Sequence, residues 1–98
     1  MNAKASLVAD IPLITDFATD GRAAIRLTVG RLESVGLEVY DARGARVRTL
    51  WVGVAPAGAH VRVWDGRDGD GNGVASGIYI ARLVTEDGVR TRKIRLLK

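Results

Sequence analysis

Residues 65–77 read DGRDGDGNGVASG, and inside them residues 68–73 read DGDGNG. The shorter string fits the first half of an EF-hand-type calcium loop. Asp68, Asp70 and Asn72 fall at ligand positions one, three and five, and Gly73 falls at the sharp turn of position six. Such a loop also needs a bidentate carboxylate at position twelve and a helix on each side. Counting from Asp68, position twelve is Tyr79, whose phenol does not replace a carboxylate. The flanks, VRVW at 61–64 and GIYIARLV at 77–84, read as strands. The stretch is therefore expected to be a connection between two strands. Its glycines (66, 69, 71, 73 and 77) supply positive φ, and Asp65 accepts backbone N–H bonds to hold the turn. The alternative is a non-helical calcium loop from Asp65, Asp68, Asp70 and Asn72, with a dissociation constant on the order of 10⁻⁴–10⁻³ M.

The rest of the chain repeats the same grammar of short alternating runs and glycine punctuation. Ala23, Ile25, Leu27 and Val29 alternate with Ala24, Arg26 and Thr28, and Val35, Leu37 and Val39 alternate with Gly36, Glu38 and Tyr40. Val61 and Val63 flank Arg62, and Ile94 and Leu96 alternate with Lys93 and Arg95. Each apolar set is expected on the inner face of a strand. Asp41-Ala42-Arg43-Gly44 predicts a type I turn closed by a left-handed glycine, Pro56-Ala57-Gly58 a second turn, and Glu86-Asp87-Gly88 a hairpin. Strands are expected near 7–15, 23–29, 35–40, 46–52, 60–64, 77–85 and 90–97. Pro12 suits the first to an edge position. The fold class expected is all-β, a seven-stranded antiparallel immunoglobulin-like (fibronectin III-like) sandwich.

Bulk properties narrow the chemistry. Ninety-eight residues suffice for one domain, here residues 1–98, with a core that needs no cofactor to fold. The absence of cysteine excludes disulfides, a thiolate nucleophile and a zinc finger. No run of eighteen apolar residues is present, so no membrane-inserted helix is expected, and the N-terminus lacks the pattern of a signal peptide. The three serines sit in no GxSxG elbow, and the single histidine, His60, reads as a surface strand residue. The net charge of +4 raises the question of nucleic acid, but the basic residues of the last strand have no aromatic partners for stacking.

One longer order of residues carries a resemblance. It begins at Val39-Tyr40-Asp41-Ala42-Arg43-Gly44 and continues through Val47, Thr49, Leu50 and Ala57-Gly58. Trp64-Asp65-Gly66-Arg67-Asp68, Gly71 and Val74-Ala75-Ser76-Gly77-Ile78-Tyr79 follow, then Arg82-Leu83, Arg92-Lys93-Ile94 and Leu96-Leu97-Lys98. This order resembles the FlgD-like immunoglobulin-like domains over roughly residues 36–98. The resemblance implies a structural turn made by Trp64, Asp65, Gly66, Gly77 and Tyr79, with no catalytic residue and no favoured metal. It also implies an extracellular or cell-surface setting, as the C-terminal module of a larger secreted bacterial protein. The domain is similar to the C-terminal sorting domains of type IX secretion, which export or attachment machinery recognises. Arg92, Lys93, Arg95 and Lys98 are the residues expected to meet such a protein partner. Two alternatives are a flagellar hook-capping scaffold and a polysaccharide-binding accessory module of a glycosidase. For the second, Trp51 is the aromatic expected to be exposed, with Leu50 on the opposite face.

Overall fold

The computed structural model describes residues 21–98 in full and the backbone of residues 6–11. Seven extended segments run in order: β1 (Ser6–Ile11), β2 (Ala23–Val29), β3 (Glu33–Asp41), β4 (Arg46–Ala55), β5 (Gly58–Trp64), β6 (Gly77–Thr85) and β7 (Gly88–Leu96). All pair antiparallel, β1-β2-β5 in one sheet and β4-β3-β6-β7 in the other. The part of the expected first strand at residues 12–15, with Pro12, lies outside the described residues.

The expectation of a seven-stranded immunoglobulin-like, fibronectin III-like sandwich is corrected by this arrangement. The sandwich built by the described side chains has six strands, with β2 and β5 facing the four strands β4-β3-β6-β7; β1 is described as a backbone ladder on β2. Among the described residues no ladder joins one sheet to the other, so the two sheets stay open. β3, β4, β6 and β7 run 9 or 10 residues, and β2 and β5 have 7 each.

The core follows from period-two alternation. Ile25, Leu27 and Val29 of β2 meet Val35, Leu37 and Val39 of β3, Ala81 and Leu83 of β6, and Ile94 and Leu96 of β7, all buried. Each such aliphatic side chain contributes about 1.5–3 kcal/mol on burial. The expectation for β5 is reversed. Val61 and Val63 are about half exposed on the outer face, and the inward positions hold His60, Arg62 and Trp64.

β4 departs from strict alternation for an identifiable reason. Leu37 pairs with Trp51 but Glu38 pairs with Thr49, so Leu50 is an extra residue; Val39 pairs with Arg48 but Tyr40 with Arg46, so Val47 is another. These two bulges bring Val47, Leu50 and Trp51 all against the core, where simple alternation would send Leu50 and Trp51 to opposite faces. Trp51 is accordingly half-buried. The Arg62 guanidinium lies 3.8 Å from its ring centroid and the His60 ring meets it edge-on at 5.1 Å. His60 is thus half-buried too, its Nε2 2.8 Å from the Pro56 carbonyl oxygen. The two rings and the Arg62 guanidinium close the seam between β4 of one sheet and β5 of the other.

Candidate functional site

The stretch that opened the question, residues 65–77, folds as a miniature hairpin after β5. The Val74 N–H donates to the Gly66 carbonyl at 2.9 Å, Asp68 N–H to the Asn72 carbonyl at 2.8 Å, and Arg67 and Gly73 form a bridge. The Asp68 carboxylate sits inside this turn, where Oδ1 accepts the Asp70 and Asn72 N–H groups, each at 2.9 Å. The turn between β3 and β4 has the same design. Asp41 Oδ1 accepts the Arg43 and Ala45 N–H groups at 2.9 Å, and Asp41 N–H donates to the Ala45 carbonyl at 2.9 Å. Gly44 at φ +90 and Gly71 at φ +89 occupy the corresponding left-handed position in the two turns.

The electrostatics match as well. The Ala45 N–H above all, with Arg43 adding its N–H and guanidinium, holds the Asp41 carboxyl below the usual carboxylate range. The Asn72 N–H above all, with Asp70 and Gly71 N–H groups adding to it, does the same for Asp68. Partial burial opposes both shifts without reversing them. DARGA, which has no EF-hand lettering, makes the same structure as DGDGN, so the geometry at Asp68 is accounted for by the turn itself.

The other oxygens of the calcium alternative are separated. Asp65 Oδ1 accepts from Arg48 Nη1 at 3.0 Å and from the Arg67 N–H at 3.1 Å. Among the described residues no group of three or more His, Cys, Asp or Glu side chains converges in a way that would hold a metal ion. The hairpin lies instead along the edge of β4, where the Gly69 N–H donates to the Val47 carbonyl at 3.0 Å. An open groove of about 630 Å³ between the two is lined by residues that include Arg46, Thr49, Asp68 and Asp70.

Of Trp64, Asp65, Gly66, Gly77 and Tyr79, the rings of Trp64 and Tyr79 are in contact at the base of the hairpin. The Trp64 ring is fully buried, and its Nε1–H donates to the Arg67 carbonyl at 2.9 Å. Tyr79 meets it edge-on at 5.0 Å and donates its hydroxyl to the Ala75 carbonyl at 2.6 Å. Burial, then the negative charge of Asp41, pushes the Tyr79 phenol above its ordinary value. Gly66 is at φ +75, and a Cβ there would stand 2.4 Å from the Gly21 carbonyl oxygen. Gly77 begins β6 at φ +156, a backbone conformation that residues with a side chain rarely adopt.

The four basic residues expected to meet a partner do not share one surface. Lys93 and Arg95 project from the outer face of β7, opposite in parity to buried Ile94 and Leu96. Arg92 has the inward parity and, at the exposed part of the strand, turns its Nη1 to the Thr91 carbonyl at 2.9 Å. Lys98 is drawn onto the hairpin base, with Nζ 3.2 Å from the Gly66 carbonyl and its own N–H donating to Ser76 Oγ at 3.1 Å.

Residues that the linear pattern passed over surround Glu38 on the outer face of the larger sheet. Tyr40 Oη donates to Glu38 Oε1 at 2.9 Å, Arg46 Nη1 lies 3.3 Å from Oε2, and Arg82 Nη1 donates to Tyr40 Oη at 3.2 Å. The signal was the outward parity of Glu38, Tyr40 and Arg82, which only the strand register joins into one cluster.

No curated protein sequence matches the chain. FlgD from P. aeruginosa is similar in structure, with 29% identity and a TM-score of 0.62, over 80% of this chain and 61% of that one. FlgD from Xanthomonas campestris has 28% identity and a TM-score of 0.57, over 92% of this chain and 61% of its own. Dimeric latent PorU from Porphyromonas gingivalis has 19% identity and a TM-score of 0.71, over 96% of this chain and 9% of its own, a likeness of fold. The chain thus spans about three fifths of each FlgD structure. The model of the FlgD Ig-like domain matches residues 14–88, well over half the sequence. The chain therefore belongs to the FlgD Ig-like domain family, a family of non-catalytic scaffold domains.

Proposed function

We propose that this chain is a scaffold domain of the hook-capping kind, working outside the cell as one module of a larger secreted protein. The observation that carries the reading is the family match together with 28–29% identity to two FlgD proteins, one of them described by its role in hook capping essential for flagellar assembly. The architecture supports it. Fixed turns and a sealed core present two broad sheet faces, and a scaffold needs rigid surfaces more than a cleft. The test is a chimera in which this chain replaces the Ig-like domain of P. aeruginosa FlgD in a strain lacking that protein. Partial recovery of swimming is expected. A chimera that is exported and stable yet restores no hook assembly counts against the reading.

A second reading is a sorting or surface-attachment domain recognised by type IX export machinery. It is supported by the order of residues from WDGRD to RKIRLLK. The likeness to PorU, at 19% identity, adds only the shared fold. Fusing the chain to the C-terminus of a reporter in Porphyromonas gingivalis separates the two. Reporter on the cell surface favours sorting, and periplasmic retention favours the scaffold.

A further inference from the structure

We propose that the outer face of the β4-β3-β6-β7 sheet, at the Lys93 and Arg95 end, is a docking surface for an extended acidic segment of a partner protein. The inference builds on the accessory-domain reading but not on which secreted assembly the domain serves. The register sets Arg46, Tyr40, Ile80 and Lys93 in one row across the four strands, and Ile78 sits beside Arg95 in the next. Ile78 is 40% exposed, a large aliphatic side chain at the β6-β7 end of the patch. Beside it a concavity of about 310 Å³, with Tyr40, Ile80 and Arg82 among its walls, offers room for an aliphatic side chain.

The charge around this apolar floor is net positive: Arg43, Arg46, Arg82, Lys93 and Arg95 stand against Glu38 and Asp41. Arg46 and Arg82 share the single Glu38 carboxylate, and Arg43 lies 3.5 Å from Asp41. Lys93 and Arg95 take part in no salt bridge among the described residues. They stand two residues apart on one strand face, about 7 Å, which is the repeat of same-side residues in an extended chain. Carboxylates at alternate positions of such a chain would meet both cations, while an aliphatic residue reaches the floor. An acidic peptide fits better than a nucleic acid or a polysaccharide, both of which favour open aromatic faces for stacking. The one aromatic ring here, Tyr40, has Arg82 over it at 5.8 Å.

The experiment titrates the 98-residue protein with an acetylated alternating Glu-Val decapeptide at low salt, by calorimetry and by chemical-shift mapping. Saturable binding is expected, with shifts centred on Ile78, Ile80, Lys93 and Arg95. The Lys93→Glu/Arg95→Glu protein should bind at least tenfold more weakly and Arg92→Glu, on the other parity, as the unaltered protein does. If the double charge reversal does not fold, Lys93→Gln/Arg95→Gln and the shift map on the unaltered protein carry the test. Absence of saturable peptide binding, an equal loss in Arg92→Glu, or tighter binding of a heparin hexasaccharide or a 20-nucleotide single strand overturns the proposal. Hook assembly by the chimera does not depend on this titration, so either idea can fail alone.

Discussion

Asp41 and Asp68 close two turns whose letters share little beyond an aspartate and a glycine three residues later. In both, one carboxylate oxygen gathers two backbone N–H groups, and the glycine takes a backbone conformation costly for other residues. Both carboxyls titrate below the usual range, so their contribution to stability is present above about pH 3.8 and is lost as pH falls through the lower folded values. The double variant Asp41→Ala/Asp68→Ala should show a flatter stability profile than the parent between about pH 5 and pH 2, measured by urea melts. Tyr79 has the opposite sense. Its raised phenol favours the protonated folded state, so the parent should lose stability as pH rises past about 10, and Tyr79→Phe should not. At neutral pH the phenylalanine variant should instead be less stable by about 1 kcal/mol, for the lost bond to Ala75. Gly66→Ala should cost on the order of 2 kcal/mol or more, since a strained φ combines with contact on the Gly21 backbone. Gly69→Ala, with open space at its Cβ, should melt close to the parent. The turn at 41–44 was legible from its spacing. That 68–71 repeats the spacing was legible too, but the backbone geometry the two turns share shows only in their hydrogen bonds.

At the level of strands, the limits of the sequence pattern become specific. Period-two alternation located β2, β3 and β7 and their inward aliphatics, because those strands run without inserted residues along their inner faces, and the span of β6 was expected without its inward set. It failed on β4, where two bulges reset the parity and no residue type announces a bulge. It failed on β5 for another reason. Two valines around an arginine look like an inner face, yet the inward side is taken by Trp64, and Arg62 is accommodated there by stacking its guanidinium on Trp51. Val61→Thr and Val63→Thr should therefore change stability by no more than about 0.5 kcal/mol, whereas Leu37→Asp should unfold the domain in a thermal melt. Trp51→Ala should destabilise by about 2–4 kcal/mol and leave retention on an insoluble-polysaccharide affinity gel unchanged, because Arg62 already occupies a face of the ring. Arg92, Lys93, Arg95 and Lys98 read as one basic group in the letters, but their separation onto different surfaces depends on which way each position of β7 and the chain after it turns.

On the scale of the molecule, stability rests on two sheets pressed together, without disulfides, and in the long connection the Asp65 carboxylate is occupied by arginine and the Asp68 carboxylate by backbone amides. Millimolar calcium should leave the melting temperature unchanged, and a rise of several degrees on adding the ion, reversed by chelator, would show that the hairpin at 66–74 does more than turn the chain. The open sandwich was not legible in the count of strands, because the letters report where strands are and not whether unequal sheets close. The two tryptophans occupy different compartments of this architecture: Trp64 lies in the sealed interior, and Trp51 lies at the boundary where β4 and β5 come together. Native fluorescence consequently contains two separable optical clocks. Trp51→Phe leaves a reporter of the moment water enters the centre, and Trp64→Phe leaves one of the moment the sheets begin to part.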